Sequence, residues 1–267
     1  MSTNPKQDQQ GTRRARRAAE RQAAAPIRGS GSSGAGRSPI LLITALVGGL
    51  AVVLLGALVI MQGSGPAKVD ASGLIAPTTF APAELAAGRA LGKADAPVTL
   101  DVWSDFQCPA CGQYAEIVEP VLIRNYVTPG TLRIVHHDAA FQGERTKLPY
   151  DESVEPAAGA RCAAAQEKYW PFHDWLFANQ SGENKGAFAD ARLRAIATNV
   201  GLDVLAWDAC RATGEQQTAV RSETAQGVAN GVRSTPTMFL NGESLVGVRS
   251  ATEMGQKIEA AAAAAAP

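Results

Sequence analysis

The chain has 267 residues and a formal net charge of zero, room for one folded domain of about 100–200 residues with additional segments beside it. The balance hides an asymmetry, because residues 1–38 carry eight Lys or Arg against Asp8 and Glu20 and the remainder of the chain is correspondingly acidic. A basic tail suits nucleic acid or an anionic membrane, and the uncharged stretch that follows it argues for the membrane and against nucleic acid.

Apart from its arginines, the stretch 1–38 is mostly Gln, Ala, Ser and Gly, with too few large apolar side chains to offset ordering, so it reads as a disordered cytoplasmic tail. Pro39–Met61 is 23 residues without a charge, which at 1.5 Å per residue is about 34 Å of helix, long enough to span a bilayer. A cleavable signal peptide has a shorter apolar core of about 7–15 residues behind a short leader, which leaves late cleavage as the rival to an uncleaved anchor. The arginines before the span place the N-terminus in the cytoplasm and everything after residue 62 outside it. Residues 62–92 mix Gly, Pro, Ser and Ala as a linker does, and 93–267 is the expected folded domain.

Within that domain, residues 96–106 alternate with period two and predict a strand. Residues 109–127 have helical apolar spacing with Pro120 as an expected kink, and 132–136 reads as a second strand. A helical block is expected over 154–231, as helices at 156–179, 187–200, 204–212 and 216–230. Strands at 237–240 and 244–248 flank Asn241-Gly242, a dipeptide favouring a tight hairpin, and a last helix covers 251–266. A crossover helix between two strands implies parallel pairing while the hairpin is antiparallel, so the expected fold class is α/β, a mixed sheet covered by helices.

All four cysteines, Cys108, Cys111, Cys162 and Cys210, follow the apolar span, on the side where disulfides persist. Cys108-Pro109-Ala110-Cys111 comes straight off a strand and opens a helix. Free amides and the macrodipole at a helix N-terminus favour a thiolate at Cys108, which makes it the attacking sulfur. Cys111, about one turn on and more interior, is placed to resolve a mixed disulfide. The bland alternative is half of a zinc site, for which only isolated Cys162, Cys210, His136, His137 and His173 could complete the set. The adjacent pair His136 and His137 points to opposite faces of its strand and is assigned no role. The aromatic run from Tyr169 to Phe177 is taken as core.

Ser104-Asp105-Phe106-Gln107-Cys108-Pro109-Ala110-Cys111 resembles the active-site segment of DsbA-like thioredoxin-fold oxidoreductases, and Ser234-Thr235-Pro236-Thr237-Met238-Phe239-Leu240-Asn241-Gly242 resembles that family's cis-proline loop, strand and hairpin. The resemblance covers roughly residues 90–260, and the helical block corresponds to the family's insertion. It implies a cis Pro236 facing the redox pair, Thr235 offering backbone hydrogen bonds to an extended substrate peptide, and an acidic residue beneath the disulfide at Asp101, whose alternative is a solvent-facing charge. Thr235 stands where the family's oxidants often carry Val, and the pair encloses no histidine. Cys162 and Cys210 fall in two helices of the block. A bridge between them would close a loop worth roughly 4 kcal/mol in the chain-entropy model, with free buried thiols as the alternative. The implied activity is extracytoplasmic dithiol–disulfide exchange with secreted or membrane proteins, held by the span 39–61 in the lipid of a bacterial cytoplasmic membrane. It needs no nucleotide or metal cofactor and would be reoxidised by a DsbB-type or vitamin K epoxide reductase-like membrane partner. The same chemistry run as a reductase or isomerase, or a non-catalytic anchored binding module, are the competing readings.

Overall fold

A computed structural model describes residues 73–143 and 147–265. The tail 1–38 and the span 39–61 lie outside them, and among the described residues no helix is long and apolar enough to cross a membrane. Six strands form one mixed sheet: β1 (Ala86–Ala87), β2 (Ala90–Leu91), β3 (Val98–Ser104), β4 (Leu132–Asp138), β5 (Thr237–Leu240) and β6 (Glu243–Val246), in the order β1-β2-β4-β3-β5-β6. β3 and β4 are parallel, in register from Val98 opposite Leu132 to Ser104 opposite Asp138. Every other neighbouring pair is antiparallel. The parallel pair requires a crossover, which α1 (residues 109–127) supplies.

Helix α1 is irregular around Pro120, where the sequence points to a kink. It runs as Pro109–Gln113, a π-helical turn at Tyr114–Val118, Glu119–Leu122, and a second π-helical turn at Ile123–Val127. Pro120 has no N–H to return to the carbonyl one turn back, and widened turns are a common way for a helix to absorb such a gap. The helical block contains α2 (Val154–Ala164), α3 (Tyr169–Ala178), α4 (Asp190–Val200), α5 (Val204–Ala212) and α6 (Glu215–Ala229), and α7 (Ala251–Ala265) closes the fold. The single helix expected at 156–179 is two, because Glu167 takes a left-handed φ of 59° between them and no α-helix continues through that conformation. The expected linker also gives way to structure: β1 and β2 fall inside 62–92, and Leu91 is fully buried, so the fold begins before Lys93.

The alternation of β3 sends Val98, Leu100 and Val102 into the main core with Leu132 and Ile134 of β4, where Leu122, Val127, Met254 and Ile258 of α1 and α7 and the aromatic face of α3 meet them. Trp103 points the other way, into a smaller cluster with Ala139 and Val232, and lies against α6, where a Cβ on Gly227 would sit 2.6 Å from its ring. Only glycine admits that approach. At the β5–β6 turn, Asn241 and Gly242 have φ of 46° and 87°, the left-handed pair that a tight hairpin demands. The Asn241 side chain also accepts the Thr99 amide at 2.8 Å, pinning the hairpin to β3.

Candidate active site

The two cysteines stand where β3 gives way to α1. Cys108 is the N-cap residue in an extended conformation and Pro109 takes the first helical position, a place that tolerates its missing N–H. The Cys108 amide donates to the Asp105 carbonyl at 3.0 Å and its carbonyl accepts from Gly112 at 3.1 Å. Both cysteines are free thiols, Cys108 6% exposed and Cys111 fully buried. Their titration is split accordingly. The hydrogen bond from Cys111, helped by Thr235 and the amides of Cys111 and Ala110, outweighs burial and lowers Cys108 to about 6. Burial, then the neighbouring Cys108, pushes Cys111 well above the ordinary thiol range.

The Thr235–Pro236 peptide is cis, and the Cys108 thiol donates to the Thr235 carbonyl at 3.4 Å. The residues that sequence reasoning grouped as Cys108, Cys111, Thr235 and Pro236 are therefore brought together across 127 positions. Asp101 is not among them. It belongs to the β3 face opposite Val102, where its carboxylate meets His137 Nε2 at 2.9 Å with a third of the side chain exposed. The strand's period of two makes this unavoidable, since Leu100 and Val102 point into the main core that contains both cysteines.

The acid beside the pair is Asp105, 2% exposed. Its Oδ1 accepts the Gln107 amide at 2.9 Å. Its Oδ2 accepts the amides of Phe141 and Gln142 at 2.9 and 3.1 Å and the Ser153 hydroxyl at 2.7 Å. Burial raises its carboxyl to about 7 against these donors, and the charge of Cys108 adds to the rise. Gln107 extends the network: its side-chain amide donates to Ser153 Oγ at 2.8 Å and its carbonyl accepts the Asn184 amide at 2.5 Å. Gln180 donates to the carbonyls of Phe106 and Cys108 at 2.6 and 3.0 Å. Helical-block residues thus brace the loop on which Cys108 is mounted. Asp105 and Gln107 lay inside the recognised motif without a role, while nothing in the sequence marked Ser153, Gln180 or Asn184.

Cys162 and Cys210 form a disulfide between α2 and α5, with Cα atoms 5.9 Å apart. This takes Cys162 and Cys210 out of the five residues that could have completed a zinc site with Cys108 and Cys111. Among the described residues no group of three His, Cys, Asp or Glu side chains is placed to hold a metal ion.

A mixed sheet, a dithiol at the start of its crossover helix and a cis-proline across from the first sulfur define a thioredoxin-fold dithiol protein. The chain belongs to the thioredoxin family, which it matches over residues 84–260. It is 23% identical over 172 residues to disulfide bond formation protein D of Bacillus subtilis, covering 63% of this chain and 74% of that one. To the probable disulfide bond formation protein D of Bacillus anthracis it is 26% identical over 157 residues, covering 58% and 70%. Among solved structures it resembles oxidised BdbD from Bacillus subtilis, with a TM-score of 0.58 at 19% identity over 70% of this chain and 98% of the other.

Proposed function

We propose that this chain is a DsbA-like thiol–disulfide oxidoreductase, anchored by residues 39–61 in a bacterial cytoplasmic membrane with its dithiol domain outside, that introduces disulfides into secreted or membrane proteins. The observation that carries the reading is the asymmetry of the pair, an acidified Cys108 that is 6% exposed and faces the cis-proline loop, and a fully buried, high-pKa Cys111 behind it.

In the oxidised enzyme a substrate thiolate attacks Cys108 Sγ, the Cys108–Cys111 bond breaks, and Cys111 leaves as a thiolate that takes up a proton. The substrate's second thiolate then attacks its own sulfur in the mixed disulfide and expels Cys108. Two electrons pass to the enzyme and one disulfide forms in the substrate; of the two substrate protons one ends on Cys111 and the other goes to solvent, since Cys108 leaves as a thiolate. The Thr235 carbonyl, directed at Cys108, is the main-chain group available to orient an extended substrate. An acidified Cys108 is a good leaving group and stabilises the reduced enzyme, which favours the oxidising direction over the reductase or isomerase reading. A quinone-linked membrane oxidase of the DsbB or vitamin K epoxide reductase type would return the dithiol to the disulfide.

Cys108→Ser is expected to abolish mixed disulfides with reduced peptides, whereas Cys111→Ala should accumulate them because the resolving thiol is gone. Equal trapping by both variants would reverse the assignment, and unchanged oxidation of a reduced test protein by both would leave only a binding module.

A further inference from the structure

Between α1 and the segment 75–81 lies a cavity of about 630 Å³ whose walls include Ile75, Phe80, Ile117, Ile123, Phe177 and Glu119. Glu119 is 3% exposed, and its nearest charged partner is His173, whose Nε2 lies 4.0 Å away. That histidine is already held by Asp174 at 3.0 Å, and Asp174 also accepts the Ala81 amide at 3.0 Å. The Glu119 carboxyl therefore joins Thr78, Thr79, Glu116, Arg124 and Asp174 as the polar part of a lining that is otherwise apolar. Glu116, Ile117 and Phe177 also line a neighbouring depression whose other walls are Pro109, Gly112, Gln113 and Gln180, at the start of the helix that carries the redox pair.

We propose that this cavity is a specificity subsite for a basic side chain, lysine or arginine, of the polypeptide undergoing exchange at Cys108. The proposal rests on the oxidoreductase reading and names a substrate class for it. An apolar stem ending in a cation matches an apolar wall ending in a carboxylate, and basic side chains routinely bury their stems in this way. Charge agrees: Glu116, Glu119 and Asp174 stand against Arg124 alone. Reach agrees as well, since the eleven positions from Cys108 to Glu119 span about 16 Å of helix, or roughly five residues of extended peptide. The groups that bear on Glu119 are Tyr114 on its own helix, His173 and Asp174 on α3, and Glu116 and Arg124 at the rim. Burial raises its carboxyl to about 7, with His173 opposing and Asp174 adding, so the recognition strengthens as pH rises through that region.

The test uses the full-length protein in detergent and a set of peptides, each with one cysteine and with lysine, norleucine or glutamate five positions away toward either end. The readout is the rate of mixed-disulfide formation with the oxidised enzyme. The lysine-to-norleucine ratio is expected to be on the order of tenfold for one of the two directions, to grow between pH 6 and pH 8, and to fall to about one in Glu119→Gln. Because the ratio is taken within each enzyme, a general loss of activity in the variant does not imitate the effect. Equal rates for lysine and norleucine in the wild type overturn the subsite, as does a preference that survives in Glu119→Gln. Failure of every peptide, the norleucine ones included, overturns the oxidoreductase reading beneath it.

Discussion

Asp105 shows how one side chain can be structural and electrostatic at once. Four donors converge on its two oxygens, and it sits close enough to Cys108 for the two charges to oppose each other. Removing the charge while keeping the shape separates the two contributions. Asp105→Asn is expected to lower the Cys108 pKa below its present value of about 6, seen as a shift to lower pH in the alkylation profile of the reduced protein. It should also cost about 1–3 kcal/mol in chemical denaturation, since an amide nitrogen would face at least one donor. An unshifted alkylation profile would leave Asp105 a loop fastener only.

On the opposite face of the sheet, β3, β4, α2 and α6 are joined by a polar network rather than by apolar packing alone. His137 lies between Asp101 at 2.9 Å and Glu223 at 3.0 Å and stacks on Trp103 with ring centroids 4.6 Å apart. Glu223 also meets Arg89 and Arg161, each at 2.5 Å. Burial works against the imidazolium, but hydrogen bonds to Asp101 and Glu223 prevail and raise His137 to about 9. A folded-state pKa above the ordinary 6.5 means that the stabilisation is complete below about 6.5 and is lost as pH climbs through 9. A shift of that size corresponds to roughly 3 kcal/mol, reduced by whatever the surrounding solvent screens. Thermal unfolding followed from pH 6 to pH 10 should therefore show a fall centred between 7 and 9 that His137→Gln abolishes. A variant that retains the whole fall would place its origin elsewhere.

The network also shows where sequence reading stopped. Period-two alternation correctly sent His136 and His137 to opposite faces: His136 is buried beside Tyr169, whose hydroxyl lies 2.6 Å from its Nδ1, and His137 is on the charged side. The same alternation separated Asp101 from Val102, yet the family resemblance drew Asp101 under the disulfide, and local geometry prevailed. The crossover helix and the Asn241-Gly242 hairpin were legible because each has a short-range chemical cause, whereas the cis-proline was legible only through the family resemblance. Ser153, Gln180 and Asn184 were not, because their contacts with the active-site loop span between 46 and 77 positions and depend on how the helical block docks.

For the molecule as a whole, the sheet is asymmetric in its edges. β1 has only two residues, whereas β6 is longer and carries exposed Glu243, Ser244 and Val246; short or charged edges discourage pairing with other chains. The topology is a matter of the whole chain as well. If residues 39–61 span the membrane with the arginines inside, a periplasmic-type reporter fused after Pro267 should be active and a cytoplasmic one silent. The reverse pattern would remove the extracytoplasmic assignment while leaving the dithiol chemistry in place.

The segment entering the domain is fastened at two points. The Ile75 amide donates to Asn179 Oδ1 and the Asn179 amide nitrogen donates back to the Ile75 carbonyl, both at 2.8 Å, and Asp174 holds Ala81. Asn179 caps the C-terminal end of α3 and Asp174 lies within α3. A pull arriving from the N-terminal side would meet these contacts with a core helix before it reached β1 and β2. If the proposed anchor transmits load, unfolding under force should begin with rupture of the Ile75 and Ala81 contacts to α3 and only then reach the sheet.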